Sequence, residues 1–277
     1  MEHTWLSLTN YVLDNGHITS PRGRRTLELL DVTYSMPPTE HFDVRPTRNL
    51  SLNYVFREFL WFCKADRHDV RMQEYAPIWK TCIQWDGGIN SNYGQYLFAG
   101  GYESVFCKAL SHIVADQDTR RCWMPIFQTY HQEWPAHEDY PCTTGIGFRV
   151  RGNALEMIVH MRSQDLWWGA ANDEPVCYLI QLLAQAYLAK YDVVLDCGEI
   201  VHKIDSLHIY ERHWDKVQAA AMDYEQREDV AGITDLCKPG FSGLDMSYLL
   251  GRYCYGFSPL LSRIMFIPGA YGNEDLT

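Results

Sequence analysis

The chain has 277 residues, 47% hydrophobic and 21% charged, with a formal net charge of −11. That length and apolar content suit a single domain, 1–277, around one core, and the charge argues against a long nucleic acid partner, whose binding is dominated by cations on phosphate. No apolar run approaches the roughly 20 residues of a membrane helix, and residues 1–10 lack a basic segment leading into an apolar one, so no membrane association is expected and the expected location is the cytoplasm.

In chain order, residues 54–65 carry apolar side chains at helical spacing with Glu58 inside the apolar stretch, and residues 102–115 repeat the pattern. The intervening Asp86-Gly87-Gly88 and Asn90-Ser91-Asn92 mark loops that end at Tyr93-Gly94. Between 145 and 161 two aliphatic runs flank Gly152-Asn153, which predicts a β-hairpin with a tight turn. Pro175 is read as opening a long apolar helix to about residue 191, capped by Asn172 or Asp173. Residues 199–210 read as a strand whose period of two puts Ser206, His208 and Tyr210 on one face. Beyond residue 217 the periodicity is weak and no element is assigned.

Nine cysteines, an odd and scattered set, sit mostly in apolar settings such as Trp61-Phe62-Cys63 and Tyr253-Cys254-Tyr255, which suits reduced thiols. No Cys-x-x-Cys pair, His-Glu-x-x-His or calcium-type loop occurs, so no metal is expected. His208 and His213 are five apart, which does not match the usual same-face spacing of metal ligands. Gly145-x-Gly147 lacks the third glycine and the following helix of a dinucleotide loop.

Cys142, in Tyr140-Pro141-Cys142-Thr143-Thr144, is either a buried thiol or a nucleophile; nearby cations would favour the reactive thiolate. Arg120-Arg121 read as a surface salt-bridged pair or as anion ligands. Arg162-Ser163 place a guanidinium beside a hydroxyl at a strand end, either solvated or anchoring a phosphate.

Taken together and in order, these pieces resemble the thymidylate synthase superfamily across roughly residues 20–215. The resemblance rests on Glu58 followed by Phe59-Leu60-Trp61-Phe62, Asn92-Tyr93-Gly94, Asp118-Thr119-Arg120-Arg121 and Pro141-Cys142. It continues through Arg162-Ser163-Gln164-Asp165 with Gly169, and Asp205-Ser206-Leu207-His208-Ile209-Tyr210. Ile89-Asn90-Ser91-Asn92-Tyr93-Gly94, Cys142-Thr143, Asn172-Asp173 and Ser206-Leu207-His208 bring it closer to the phage deoxycytidylate hydroxymethylases.

The resemblance implies an α/β (α+β) fold with a mixed sheet flanked by helices and packed across a homodimer interface. It implies a pyrimidine nucleoside monophosphate as substrate and 5,10-methylenetetrahydrofolate as co-substrate. Cys142 would attack carbon 6 of the pyrimidine, Glu58 would organise water and relay protons, and Tyr93 would hold the water that removes the carbon 5 proton. Phosphate would meet Arg162, Ser163 and an arginine preceding Thr26-Leu27, for which Arg22 is chosen from Pro21-Arg22-Gly23-Arg24-Arg25, with Arg120 and Arg121 supplied by the second subunit. His208 and Tyr210 would hold the sugar 3′-hydroxyl, while Asp165, Trp79 and Gly169 would lie on the folate side. A plain core role remains open for Trp79, and a salt bridge with Arg57 for Glu58.

Asp173 stands where thymidylate synthases carry an asparagine that pairs with uracil. Uracil presents an N–H at ring nitrogen 3 and a carbonyl at carbon 4, and cytosine presents the reverse. A carboxylate accepts from the cytosine amine and, when ring nitrogen 3 is protonated, from that nitrogen too, which also favours thiolate attack. A helix N-cap is the other role open to Asp173. Threonine after Cys142, where thymidylate synthases commonly have histidine, and the polar end Gly272-Asn273-Glu274-Asp275-Leu276-Thr277 both point towards hydroxymethylation. The alternatives are a cytidylate methylase, a uridylate enzyme, a cysteine hydrolase with a histidine beside Cys142, and a non-catalytic nucleotide-binding homodimer.

Overall fold

The structure, a computed structural model, describes residues 5–38, 51–132 and 139–222. Its centre is a seven-stranded mixed sheet made of β1 (His17–Thr19), β2 (Thr26–Met36), β3 (Trp123–Pro125), β4 (Thr143–Arg151), β5 (Ala154–Met161), β6 (Gln164–Asp165) and β7 (Asp196–Tyr210). The order is β1-β2-β7-β5-β4-β3, antiparallel except where β5 and then β6 run parallel to β7. The polar end 272–277 and the setting of Cys254 lie outside the described residues.

The β4–β5 hairpin forms where the sequence predicts it, because Gly152 and Asn153 take φ values of 57° and 69°, the left-handed pair that a two-residue turn needs to match strand twist. Gly145 and Gly147 have a packing purpose. A Cβ on either would stand 2.6 or 2.5 Å from the Trp123 ring, which lies across β4 from the neighbouring strand.

Helix α1 (Trp5–Asn15) contacts β2 and β7. Helix α2 (Leu52–Lys64) starts at Ser51, whose hydroxyl accepts from Tyr54 N at 3.3 Å, and stops at Ala65 in the left-handed conformation. Its buried face carries Val55, Phe56, Phe59 and Phe62, and Glu58 shares that face. The short helices α3 (Ile78–Cys82) and α4 (Gly94–Leu97) follow. Gly94 is required by close approach, since a Cβ there would lie 1.7 Å from Phe62 O. The helix predicted over 102–115 begins later: a 3-10 turn covers Gly101–Glu103, and Ser104 caps α5 (Val105–Ala115) by accepting from Cys107 N.

The apolar helix does not open at Pro175. Helix α6 runs Gly169–Ala189 with Pro175 inside it, so neither Asn172 nor Asp173 is its N-cap. The chain turns helical six residues earlier, and Pro175 only removes the donor that would have bonded to Ala171 O. Nearly every side chain from Glu174 to Leu188 is buried. Gln181 donates to Leu155 O and Gly198 O, and Gln185 to Leu195 O, so polar groups in this buried helix satisfy carbonyls left open where the β5–β7 pairing shifts register and just before β7 begins. Helix α7 (Trp214–Ala221) closes the described chain, and among the described residues no helix is long and apolar enough to cross a membrane.

Candidate active site

The site forms where β5 leaves β7. β5 pairs with β7 as far as Ile204, β6 resumes at Leu207, and Arg162 and Ser163 fall in the gap. Arg162 N donates to Cys142 O at 2.9 Å, its Nε to Pro141 O at 3.0 Å and its Nη2 to Tyr140 O at 2.8 Å. Those three bonds hold the guanidinium against the segment that carries the cysteine, and Nη2 lies 3.8 Å from Cys142 Sγ. From the other side Tyr93 Oη accepts from Cys142 N at 3.2 Å and Thr143 N at 3.3 Å. With both lone pairs used, the Tyr93 proton is what it can offer a ligand.

Burial pushes the Cys142 thiol up, Arg162 pulls it down, Asp173 and Asp139 push it up, and Arg22 pulls it down. A polar nucleophile is thus set between two cations and two carboxyls. Among the described residues no histidine hydrogen-bonds to its sulfur; the partner is Arg162. This is not the cysteine–histidine pairing that a cysteine hydrolase of the expected kind requires.

Glu58, on α2, lies close enough to Asp173 to feel its charge. Its Oε1 accepts from Tyr54 Oη at 3.0 Å, and Tyr54 Oη in turn accepts from Trp79 Nε1 at 2.8 Å. Oε2 is buried and has no partner among the described residues. Burial, reinforced by Asp173 and offset by Tyr54, raises Glu58 to about 8. The salt bridge with Arg57 is not formed: Arg57 donates to Asn53 and Tyr75 at the surface. Asp173 lies in the second turn of α6; burial raises it to about 7, with the Gln164 amide lowering it and Asp165 raising it. Asp165, on β6, accepts from Trp167 N at 3.0 Å and is raised to about 6 by burial. Gly169 sits among them, its added Cβ 3.4 Å from Asp173 Oδ2 and 3.6 Å from Asp165 Cβ.

His208 and Tyr210 are neighbours on β7, with ring centroids 5.0 Å apart, and β6 places Asp165 in register with His208. Burial holds His208 below its usual range, and Arg162 and Arg22 add to that effect. Arg22 is the N-terminal arginine turned this way, in a left-handed backbone conformation with φ 54°, whereas Arg25 pairs with Glu211. The structure therefore gathers Cys142, Glu58, Tyr93, Asp173, Asp165, Gly169, Arg162, Ser163, His208, Tyr210 and Arg22, with Trp79 behind Tyr54. Arg120 and Arg121 are not gathered. They are exposed in the loop between α5 and β3 and make no side-chain hydrogen bond or ion pair with these residues.

Sequence reasoning missed Tyr54, Gln164 and Asp139. Tyr54 is four residues before Glu58, a spacing that brings helix side chains together, so its partnership was readable. Asp139 is buried; its carboxylate accepts from Ser91 N at 2.8 Å and bonds Ser91 Oγ, pinning the Cys142 segment to the loop before Tyr93. No local pattern announces that contact across 48 positions.

Comparison with known proteins agrees with this geometry: the thymidylate synthase family matches residues 3–230. The chain belongs to that family. Its relatives include the deoxycytidylate 5-hydroxymethyltransferases of Enterobacteria phages T4 and T2, each 23% identical over 222 residues that cover 77% of this chain and 87% of the relative. The deoxyuridylate hydroxymethyltransferase of Bacillus phage SP01 is 26% identical over 225 residues, 74% of this chain and 56% of the relative. Members of the thymidylate synthase family are folate-dependent one-carbon transferases acting at carbon 5 of pyrimidine nucleotides, with 5,10-methylenetetrahydrofolate as co-substrate. The mixed sheet flanked by helices, expected from the resemblance, is the fold observed.

Proposed function

We propose that this chain hydroxymethylates deoxycytidylate, converting dCMP, 5,10-methylenetetrahydrofolate and water to 5-hydroxymethyl-dCMP and tetrahydrofolate. The observation that carries the reading is the carboxyl of Asp173 close enough to the Cys142 sulfur for its charge to raise the thiol. Phosphate binds Arg22, Arg162 and Ser163, with Arg120 and Arg121 contributed by the partner of a homodimer, and His208 and Tyr210 take the 3′-hydroxyl. Asp173 accepts from the exocyclic amine and holds the proton on ring nitrogen 3. That proton draws electrons from carbon 6, where the Cys142 thiolate adds, and carbon 5 becomes nucleophilic.

The folate supplies the one-carbon unit. Asp165, a half-buried acceptor, suits the amino and N–H groups of a pterin, and the indole of Trp79, with the half-exposed Trp168 beside Asp165, suits its flat face. Tyr93 holds the water that removes the carbon 5 proton. Once that proton has left, the bond to tetrahydrofolate breaks and an exocyclic methylene remains on carbon 5. Glu58, with Oε2 unpartnered, holds the water that adds to it and in its ionised form takes that water's proton, after which the Cys142–carbon 6 bond breaks.

A uridylate reading is favoured by one observation: near pH 7 Asp173 is partly a neutral acid, which offers one donor and one acceptor and so fits uracil as well. The deciding experiment incubates the protein with methylenetetrahydrofolate and each of the four pyrimidine monophosphates, deoxy and ribo, and weighs nucleotide and folate products. A product 30 mass units heavier than dCMP, with tetrahydrofolate, is expected for roughly one added CH₂O group. Dihydrofolate would instead mark a methylase, and reaction of uracil nucleotides alone would overturn the proposal. Cys142→Ala should abolish tritium release from carbon 5; unchanged release would remove the nucleophile assigned here.

A further inference from the structure

Gln164 is almost fully buried, yet its Nε2 has no hydrogen-bond partner among the described residues. Its Oε1 lies 3.1 Å from Tyr34 Oη, and the same hydroxyl lies 3.1 Å from Glu174 Oε1. Gln164 and Asp173 converge beside Gly169, where an added Cβ would stand 3.8 Å from Gln164 Cγ and 3.4 Å from Asp173 Oδ2. A phenol has one proton, so Tyr34 donates to one of its two acceptors at a time. When it donates to Gln164 Oε1, the amide N–H groups are left free beside Asp173, whose carboxyl Gln164 holds down, an arrangement that suits a carboxylate. With the amide reversed, Gln164 donates to Tyr34, Tyr34 donates to Glu174, and a carbonyl faces Asp173, which suits only a protonated acid.

We propose that Gln164, held by Tyr34 in the first of these arrangements, is a positioning residue that presents its amide donors to the Asp173 carboxyl and thereby biases the choice between cytosine and uracil. The inference rests on Asp173 reading the base, as above. A complex with cytosine can keep one proton either on ring nitrogen 3 or on the carboxyl. A complex with uracil can keep it only on the carboxyl, and once it is lost the carbon 4 carbonyl faces a carboxylate. Uracil is therefore rejected as pH rises through the ionisation of Asp173, while cytosine holds its proton further. A donor that favours the carboxylate moves that rejection to lower pH.

The ionisable groups around Asp173 are Glu58 and Tyr54 of α2, Tyr34 of β2, Tyr93, Cys142, Asp165, and Cys177 and Glu174 on its own helix. Glu58 also titrates in the relevant range, but it faces both bases alike, so the ratio of the two affinities reports Asp173.

The test measures dissociation constants of dCMP and dUMP by equilibrium dialysis between about pH 5.5 and 9 for wild type, Gln164→Met and Tyr34→Phe. In Gln164→Met the pH at which dUMP affinity falls should rise by about one unit, which lowers the dCMP preference at neutral pH by up to about tenfold. Tyr34→Phe, which leaves the amide in place but unheld, should shift it in the same direction by less, and it decides the matter if the first variant misfolds. Weakened binding of both nucleotides at every pH with no shift in the dUMP curve would mean a merely structural role and would overturn the proposal. If Asp173→Asn leaves base preference unchanged, the reading of Asp173 itself fails and takes this inference with it. If Asp173→Asn changes preference and the Gln164 and Tyr34 variants follow wild type, only the role of Gln164 fails.

Discussion

Replacing Arg162 by methionine keeps an unbranched side chain and removes the guanidinium with its charge and its five N–H donors. The guanidinium stands 3.8 Å from the Cys142 sulfur. Two unit charges at such a distance interact by about 1 kcal/mol in water and about 4 kcal/mol near a protein surface. Arg162 is itself exposed, so the lower end applies, and about 1.4 kcal/mol corresponds to one pKa unit. Removing the cation should therefore raise the thiol by about one unit and cut the thiolate population at neutral pH about tenfold. The more basic thiolate is about threefold more nucleophilic for a Brønsted slope near 0.45, so alkylation should slow only about threefold at neutral pH and reach a higher plateau in alkali. The assay is the pH dependence of iodoacetamide labelling, read by mass spectrometry on the peptide that carries Cys142 so that other cysteines do not contribute. Arg162→Lys, which keeps the charge without the fork, should fall between. An unchanged midpoint and rate in Arg162→Met would refute the account of the site's electrostatics.

Glu58→Gln should lower kcat by about 10²–10⁴-fold with little change in nucleotide affinity, as measured by steady-state kinetics and dialysis. The rise of Glu58 from 4.5 to about 8 corresponds to a cost of ionisation on the order of 5 kcal/mol. A raised carboxyl pKa means that the folded state holds a proton which the unfolded state has lost. Its favourable contribution is thus complete below about pH 4.5 and is lost as pH rises through 8. Urea unfolding at pH 6 and pH 9 should therefore show Glu58→Gln losing less stability between the two than wild type. Asp173→Asn should move preference towards uracil nucleotides, and an unchanged ratio of kcat/KM for dCMP and dUMP counts against base reading by this residue. Gly94→Ala should destabilise by at least about 2 kcal/mol in the same urea assay, because its Cβ would overlap Phe62 O.

What could be read in the sequence was what depends on neighbours along the chain. The Gly152-Asn153 turn, the apolar face of α2 and the shared face of His208 and Tyr210 each follow from local conformational rules, and each is present. The start of α6 was misread for the same reason. Asn172, Asp173 and Pro175 together carry the signals of a helix beginning, but here tertiary packing outweighs them: the helix begins at Gly169, and Glu174 accepts from Tyr34 of β2 inside the fold. Contacts between distant segments left no trace. Tyr34 meets Gln164 across 130 positions, and Asp139 is drawn to Ser91 by a buried ladder of backbone and hydroxyl donors that no spacing encodes. The partnership of Tyr54 with Glu58, four residues apart on α2, is local and was missed although helical spacing makes it readable.

In the reading proposed above, a chain of net charge −11 that binds a phosphorylated substrate beside Asp165, Asp173 and Glu58 must keep those carboxyls from opposing it. Burial does this by raising Asp165 to about 6, Asp173 to about 7 and Glu58 to about 8, so that near neutral pH the base end carries fewer charges than its residue types imply. Arg162 and Arg22 bear on the same sulfur as Asp173, and Arg162 meets the cysteine segment by a count of donors. Nε serves Pro141 O, and the two N–H groups of Nη2 are directed at Tyr140 O and towards Cys142 Sγ. The two on Nη1 are the donors that the proposed phosphate contact would use. One rigid plane, fastened by backbone carbonyls, would then touch sulfur on one edge and substrate on another. An arginine serves here and a lysine does not, because a single ammonium cannot hold that separation.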